Sequence, residues 1–123
     1  MTKAAALQQF FFSFGIPAYA SSSVPDDAVF PWLTYDLSTS AWDDGNVSLT
    51  VNLWYYTTSE ATPNAKAQEI SDSIGRGGAI VPCDGGYIRL LRGNPFCQSL
   101  HDDSDTMIKR RYMNITARYY TQN

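Results

Sequence analysis

The residues with most chemical potential lie in one short stretch, where His101, the single histidine, is followed by Asp102, Asp103 and Asp105. An imidazole beside carboxylates has the parts of a general base or a metal site. The stretch is polar and joins two segments of strand character, so it reads as an exposed connection. Nucleophilic catalysis needs a base beside a serine or cysteine. With one histidine and neither Gly-x-Ser-x-Gly nor a cysteine-protease signature, a triad hydrolase is set aside. Asp43-Asp44-Gly45-Asn46 has calcium-ligand residue types but lacks an EF-hand's central glycine and closing glutamate, so a turn accounts for it. Gly75-Arg76-Gly77-Gly78 ends a helix rather than opening one and offers no phosphate cradle. Cys83 and Cys97 have neither CxxC spacing nor clustered histidines, which excludes a zinc site. The expectation is a non-enzyme with no catalytic, cofactor-binding or metal-binding residues.

Binding is the better-supplied chemistry. Lys109-Arg110-Arg111, together with Arg89, Arg92 and Arg118, is the one basic concentration, and Tyr112 beside it could stack on bases. Lysine and arginine total 9 against 12 acidic residues, a net charge of −3, which gives no general attraction for polyanions. A rim of intersubunit salt bridges is the competing reading, and no sequence-specific nucleic acid is expected. Aromatic residues make up 14% of the chain, more than its core needs, so some face a partner or a second copy. Trp42, Trp54 and Tyr56 are the residue types of a sugar platform, although aromatic strand faces more often serve packing or oligomer contact. The candidate interface is therefore Trp54, Tyr56, Arg89, Arg92, Lys109, Arg110 and Arg111. Up to Gly75 the chain has two basic and eight acidic residues; from Arg76 it has seven basic and four acidic. Such halves suit head-to-tail contact between identical copies. Reversing Arg110 and Arg111 to Glu is expected to weaken self-association without unfolding the domain.

At 123 residues the chain has the length of one domain, spanning 1–123. Lys3, the apolar stretch Ala4 to Phe14 and Ala18-Tyr19-Ala20 imitate a secretory signal, but Gln8 and Gln9 interrupt the apolar region. An amphipathic helix is the alternative, with Thr2 as N-cap, Leu7, Phe10 or Phe11, and Phe14 inward, Gly15 as C-cap and Pro17 beyond. No other stretch approaches transmembrane length, and no membrane partner is expected. Ile16 to Phe30 reads as a surface loop with room for a short edge segment. Trp32 to Leu37 alternates, and Val47, Leu49, Val51, Leu53 and Tyr55 alternate strictly with polar and aromatic neighbours, so the two are expected to form a long hairpin. Thr62-Pro63 marks a helix start and Gly75 its stop, with Ala67, Ile70 and Ile74 on one face. Ala79 to Val81 and Tyr87 to Leu91 flank a turn at Asp84-Gly85-Gly86. Arg92-Gly93-Asn94-Pro95 reads as a strand break, and Met107 to Thr121 as a long closing strand with Met113, Ile115, Ala117 and Tyr119 on one side. The order predicts an α+β domain: a largely antiparallel β-sheet with two α-helices packed against it.

Several motifs follow one another in a particular order. Phe30-Pro31-Trp32-Leu33-Thr34-Tyr35 is followed by Trp42-Asp43-Asp44-Gly45 leading into Leu49-Thr50-Val51-Asn52-Leu53-Trp54, then the Ala65 to Gly75 helix. Asp84-Gly85-Gly86, Arg92-Gly93-Asn94-Pro95-Phe96 and the Asp102-Asp103 turn precede the terminal strand. From about Phe30 to Tyr120 the chain thereby resembles tail-completion or tail-terminator (head-tail joining) proteins of long-tailed bacteriophages and prophages. The resemblance implies an α+β protomer that forms a ring, usually a homohexamer, on the head-proximal end of the tail tube. It implies a tail tube protein and a head-tail connector protein as partners. It places the chain in the virion tail or neck, and in the host cytoplasm during assembly. The family transfers no catalytic residues. Two alternatives stand beside it: another neck or connector protein, and a secreted ligand-binding domain cleaved after Ala20 with a Cys83–Cys97 disulfide.

Overall fold

The computed structural model describes residues 1–123. The N-terminal apolar stretch becomes α1, Lys3–Phe12, opened by Thr2, whose hydroxyl accepts the Ala5 N–H at 3.1 Å. It ends at Ser13, whose N–H bonds back to Phe10, two residues before the expected Gly15 cap; Gly15 instead turns the chain at φ +83°. Ala6, Leu7, Phe11 and Phe14 are buried, so the signal-like segment is part of the core. Within the expected loop, Ala18–Ala20 forms β1, and Trp32–Tyr35 forms β2 parallel to it.

Strand β3, Asn46–Tyr56, meets β2 over only four register positions, Trp32–Tyr35 against Trp54–Val51. The expected hairpin between them forms, but it is short rather than long. The partner along all of β3 is β6, Ile108–Thr121, with Asn46 opposite Arg118 and Tyr56 opposite Ile108. Between them comes α2, Ala61–Ile74, which starts one residue before Thr62 with Glu60 at the cap. Pro63 is accommodated because the first-turn N–H groups of a helix have no intrahelical partner. Strand β4, Ala79–Cys83, turns tightly into β5, Gly86–His101.

The expected break at Arg92–Pro95 is a bulge inside β5: pairing with β6 shifts between Arg92, opposite Ile115, and Cys97, opposite Met113. Gly93 permits it, since a Cβ there would lie 2.8 Å from the Asn114 carbonyl oxygen. The sheet has six strands in the order β1-β2-β3-β6-β5-β4, antiparallel except for β1 with β2, and the protein is α+β. Both helices cover the same face. Leu33, Leu49, Val51, Leu53, Ile88, Leu90, Met113 and Ile115 point into it and pack with Leu7, Phe11, Ile70 and Ile74. Phe11 stacks on Tyr35 at 4.7 Å between centroids.

Candidate interaction surface

The other face of the sheet carries no helix. Side chains alternate along each strand, so the residues between the core positions line this face. Register fixes who stands beside whom. Trp32, Trp54, Arg110 and Leu100 form one row across β2, β3, β6 and β5; Thr34, Asn52, Tyr112 and Gln98 form the next. In the first row the rings make a ladder: Phe30 lies 4.4 Å from Trp32, and Trp32 lies 6.2 Å from Trp54 with planes 25° apart. The Arg110 guanidinium closes the ladder 4.9 Å from Trp54, and its Nε donates to Asn52 Oδ1 at 2.8 Å. Trp54 Nε1 donates to Thr34 Oγ1 at 3.2 Å, and Phe30 reaches Tyr56 at 5.6 Å. An open groove of about 340 Å³ follows the ladder, lined by Ser21, Val24, Trp32, Thr34, Asn52 and Trp54.

Trp42 is not part of this group. It stands at the opposite end of β3, edge-on to Tyr120 at 5.2 Å, and Tyr120 stacks on Tyr87 at 4.9 Å. Trp42, Trp54 and Tyr56, the residue types of a sugar platform, are therefore not brought together. Trp54 instead stands between Trp32 on β2 and Arg110 on β6. Between the two aromatic ends runs a neutral band of Ser48, Thr50, Asn114 and Thr116.

The basic residues divide. Arg111 shares the parity of Met113 and Ile115 and is 2% exposed, its guanidinium bonded to Glu60 and to Asn64 Oδ1 at 2.9 Å (Nη2) and 3.1 Å (Nε). This corrects its assignment to the interface: its charge anchors the start of α2 to β6. Reversing Arg110 and Arg111 together would place a carboxylate at the buried position 111, next to Glu60, so that double variant does not report on association alone. Arg110 stays on the open face with Trp54. Arg89 stands opposite Arg118 on the same face at the far end and donates to the Gly77 carbonyl at 2.8 and 3.0 Å. Arg92 bonds Ser71 Oγ at 3.0 Å, and Lys109 bonds the Thr106 carbonyl. Arg110 with Trp54 and Tyr56, and Arg89 with Arg118, thus mark opposite ends of one surface.

The acidic stretches are local scaffolding. Asp44 Oδ2 accepts from Ser40 Oγ at 2.5 Å and from the Ala41 N–H at 3.1 Å, and these bonds hold its carboxyl below the usual range. Asp102 is lowered likewise by the hydroxyl and N–H of Ser104. His101 Nε2 lies 3.4 Å from Asp103 with both side chains in solvent, a pair of little energetic weight. No three His, Cys, Asp or Glu side chains converge. Burial raises both thiols, Cys83 and Cys97, which keeps them protonated. Through the register, Cys83 is level with Thr121 of β6 and Cys97 with Met113, about 25 Å apart along the strand. The Cys83–Cys97 disulfide of the secreted alternative does not fit this geometry, since a bridge needs Cα atoms within about 7 Å, and both cysteines are free.

Phe30 and Trp32 join the ladder without having been foreseen, and Arg118 proves to be the partner of Arg89. Strand parity was the available signal: Trp32 and Trp54 both occupy the non-core phase of their alternation. No helix is long and apolar enough to cross a membrane. No family model, curated protein or solved structure matches the chain.

Proposed function

We propose that the chain is a structural virion protein of the tail-terminator kind, closing as a homohexameric ring on the head-proximal end of a phage tail tube. The ring ends tube polymerisation and presents a surface to the head-tail connector protein. It forms in the host cytoplasm and stays in the virion neck. The motif order from Phe30-Pro31-Trp32 through Asn94-Pro95-Phe96 suggests this reading.

One structural observation carries it furthest. Arg89 stands beside Arg118 at one end of the open sheet face, while Asp102, Asp103 and Asp105 occupy the turn beyond its other end. Like charges on neighbouring strands are unfavourable in the lone protomer and become favourable when an acidic neighbour arrives. Two unlike patches that attract give a heterologous contact, the kind that generates rings. The aromatic ladder supplies an apolar centre of the sort that anchors interfaces.

Native mass spectrometry, followed by electron microscopy of the chain mixed with purified tail tubes, tests the proposal. The expected result is six copies closing as a ring only where tubes are present, seen as density at one end of each tube. A chain that never occupies tube ends, alone or assembled, overturns it; one that binds connectors but not tubes makes it a neck protein instead.

A further inference from the structure

Besides the short Asn46–Leu49 stretch of β3 beyond β2, where only Asn46 and Ser48 face outward, the sheet has three strand edges, and two are protected. On β4, Pro82 has no N–H to offer, and the Asp84 N–H bonds to the Met1 carbonyl. On β1, the Ala18 carbonyl accepts from Gln8 Nε2 at 2.9 Å, and Ala18 is buried beside α1. The third edge arises because β4 pairs with β5 only from Gly86 to Leu90. Beyond the bulge, Cys97–His101 pairs with β6 on one side and with nothing on the other. Gln98, Ser99, Leu100 and His101 are exposed, and no proline, lysine or acidic residue interrupts them.

The ladder shows which groups point outward. The Asp36 N–H donates to the Thr50 carbonyl, so even-numbered residues of β3 bond toward β2 and odd-numbered ones toward β6. Carried across β6, Tyr112 and Arg110 bond toward β5, where Gln98 and Leu100 receive them. Cys97, Ser99 and His101 therefore hold their N–H and C=O groups toward solvent.

We propose that this edge pairs with the same edge of a second copy. Pairing between copies through strand edges needs an unprotected edge on each, and each copy has one, so the contact is isologous. A two-fold axis makes the strands antiparallel, the more stable arrangement. Centred on Ser99, the pairing uses every outward group: Ser99 meets Ser99 of the second copy, and Cys97 meets His101. The acidic turn 102–105 then falls opposite neutral Phe96 and Pro95, without like-charge contact. The contact closes at two copies and does not rest on the ring reading.

Ser99→Pro removes an outward donor and leaves the β6 ladder intact. Sedimentation velocity of the full chain is expected to show a two-copy species that becomes one-copy in Ser99→Pro, with an unchanged circular dichroism spectrum. A Ser99→Cys, Cys97→Ser chain is expected to cross-link to itself with a short bis-maleimide, because paired Cα atoms at the axis lie about 5.5 Å apart. The cross-link decides the matter if the proline variant misfolds. A wild-type chain that stays single at all concentrations overturns the proposal. So does an assembly that survives Ser99→Pro without a cross-link at position 99. Either failure leaves the tube-end test untouched, and failure at tube ends leaves this pairing standing.

Discussion

The two faces of the one sheet are made by alternate residues of the same strands and have opposite properties. On the helix side, Leu49, Val51, Leu53, Met113 and Ile115 are at most 1% exposed and touch α1, α2 and each other. On the other side, Trp54, Arg110 and Tyr112 stack in the open, flanked by serine, threonine and asparagine. Strand periodicity thus assigns stability to one parity and recognition to the other. Arg111 is the exception that exposes the rule: its parity draws a charge to a buried position, and exposed Glu60 and Asn64 at the start of α2 satisfy it.

The sharpest way to break this comparison is Arg111→Glu against Arg110→Glu. The first sets a buried carboxylate beside Glu60 and is expected to cost about 3–5 kcal/mol, readable by urea denaturation. The second is expected to leave stability within about 1 kcal/mol while weakening association. Neighbours on β3 repeat the contrast: Leu53→Ala is expected to cost about 2–5 kcal/mol, and Trp54→Ala, one residue on, about 1 kcal/mol. Equal costs at 53 and 54 would mean that the open face belongs to the core.

Alkaline titration probes the covered face by another route. Tyr119 is buried, donates its hydroxyl to the Ser38 carbonyl and has its pKa pushed up to about 12 by that burial. Unfolded, it ionises near pH 10, so the unfolded state loses its proton first. The contribution is fully present below pH 10 and lost as pH rises through about 12, in all about 2–3 kcal/mol. Thermal melts across that range are expected to show the loss, and Tyr119→Phe to reduce it. The smallest effect is expected from Arg118→Ala, a gain of a few tenths of a kcal/mol as its repulsion with Arg89 is relieved, seen as a slightly higher Tm together with weaker association.

Much of the covered face was legible in the chain. The alternation of Val47 to Tyr55 and of Met113 to Tyr119 named the core positions because side-chain period follows from local backbone geometry. Thr2 and Gly75 bounded the two helices for the same local reason. Three features resisted. β6, not β2, is the long partner of β3, and pairing across some sixty residues leaves no local trace. Pro95 looked like a strand break, because a bulge and a break share the same residues until a partner strand defines the register. Lys109-Arg110-Arg111 read as one basic patch, although its three charges go to a nearby carbonyl, a tryptophan and the core.

The chain alone therefore determined the composition of each face, the helix positions and the α+β class, all of which depend on periodicity and capping within a few residues. Only the tertiary structure decided which strands became neighbours, how far apart Cys83 and Cys97 lie and which edge stayed open. Those depend on register between distant segments, which is chosen by burying both partners' apolar parity against the same two helices.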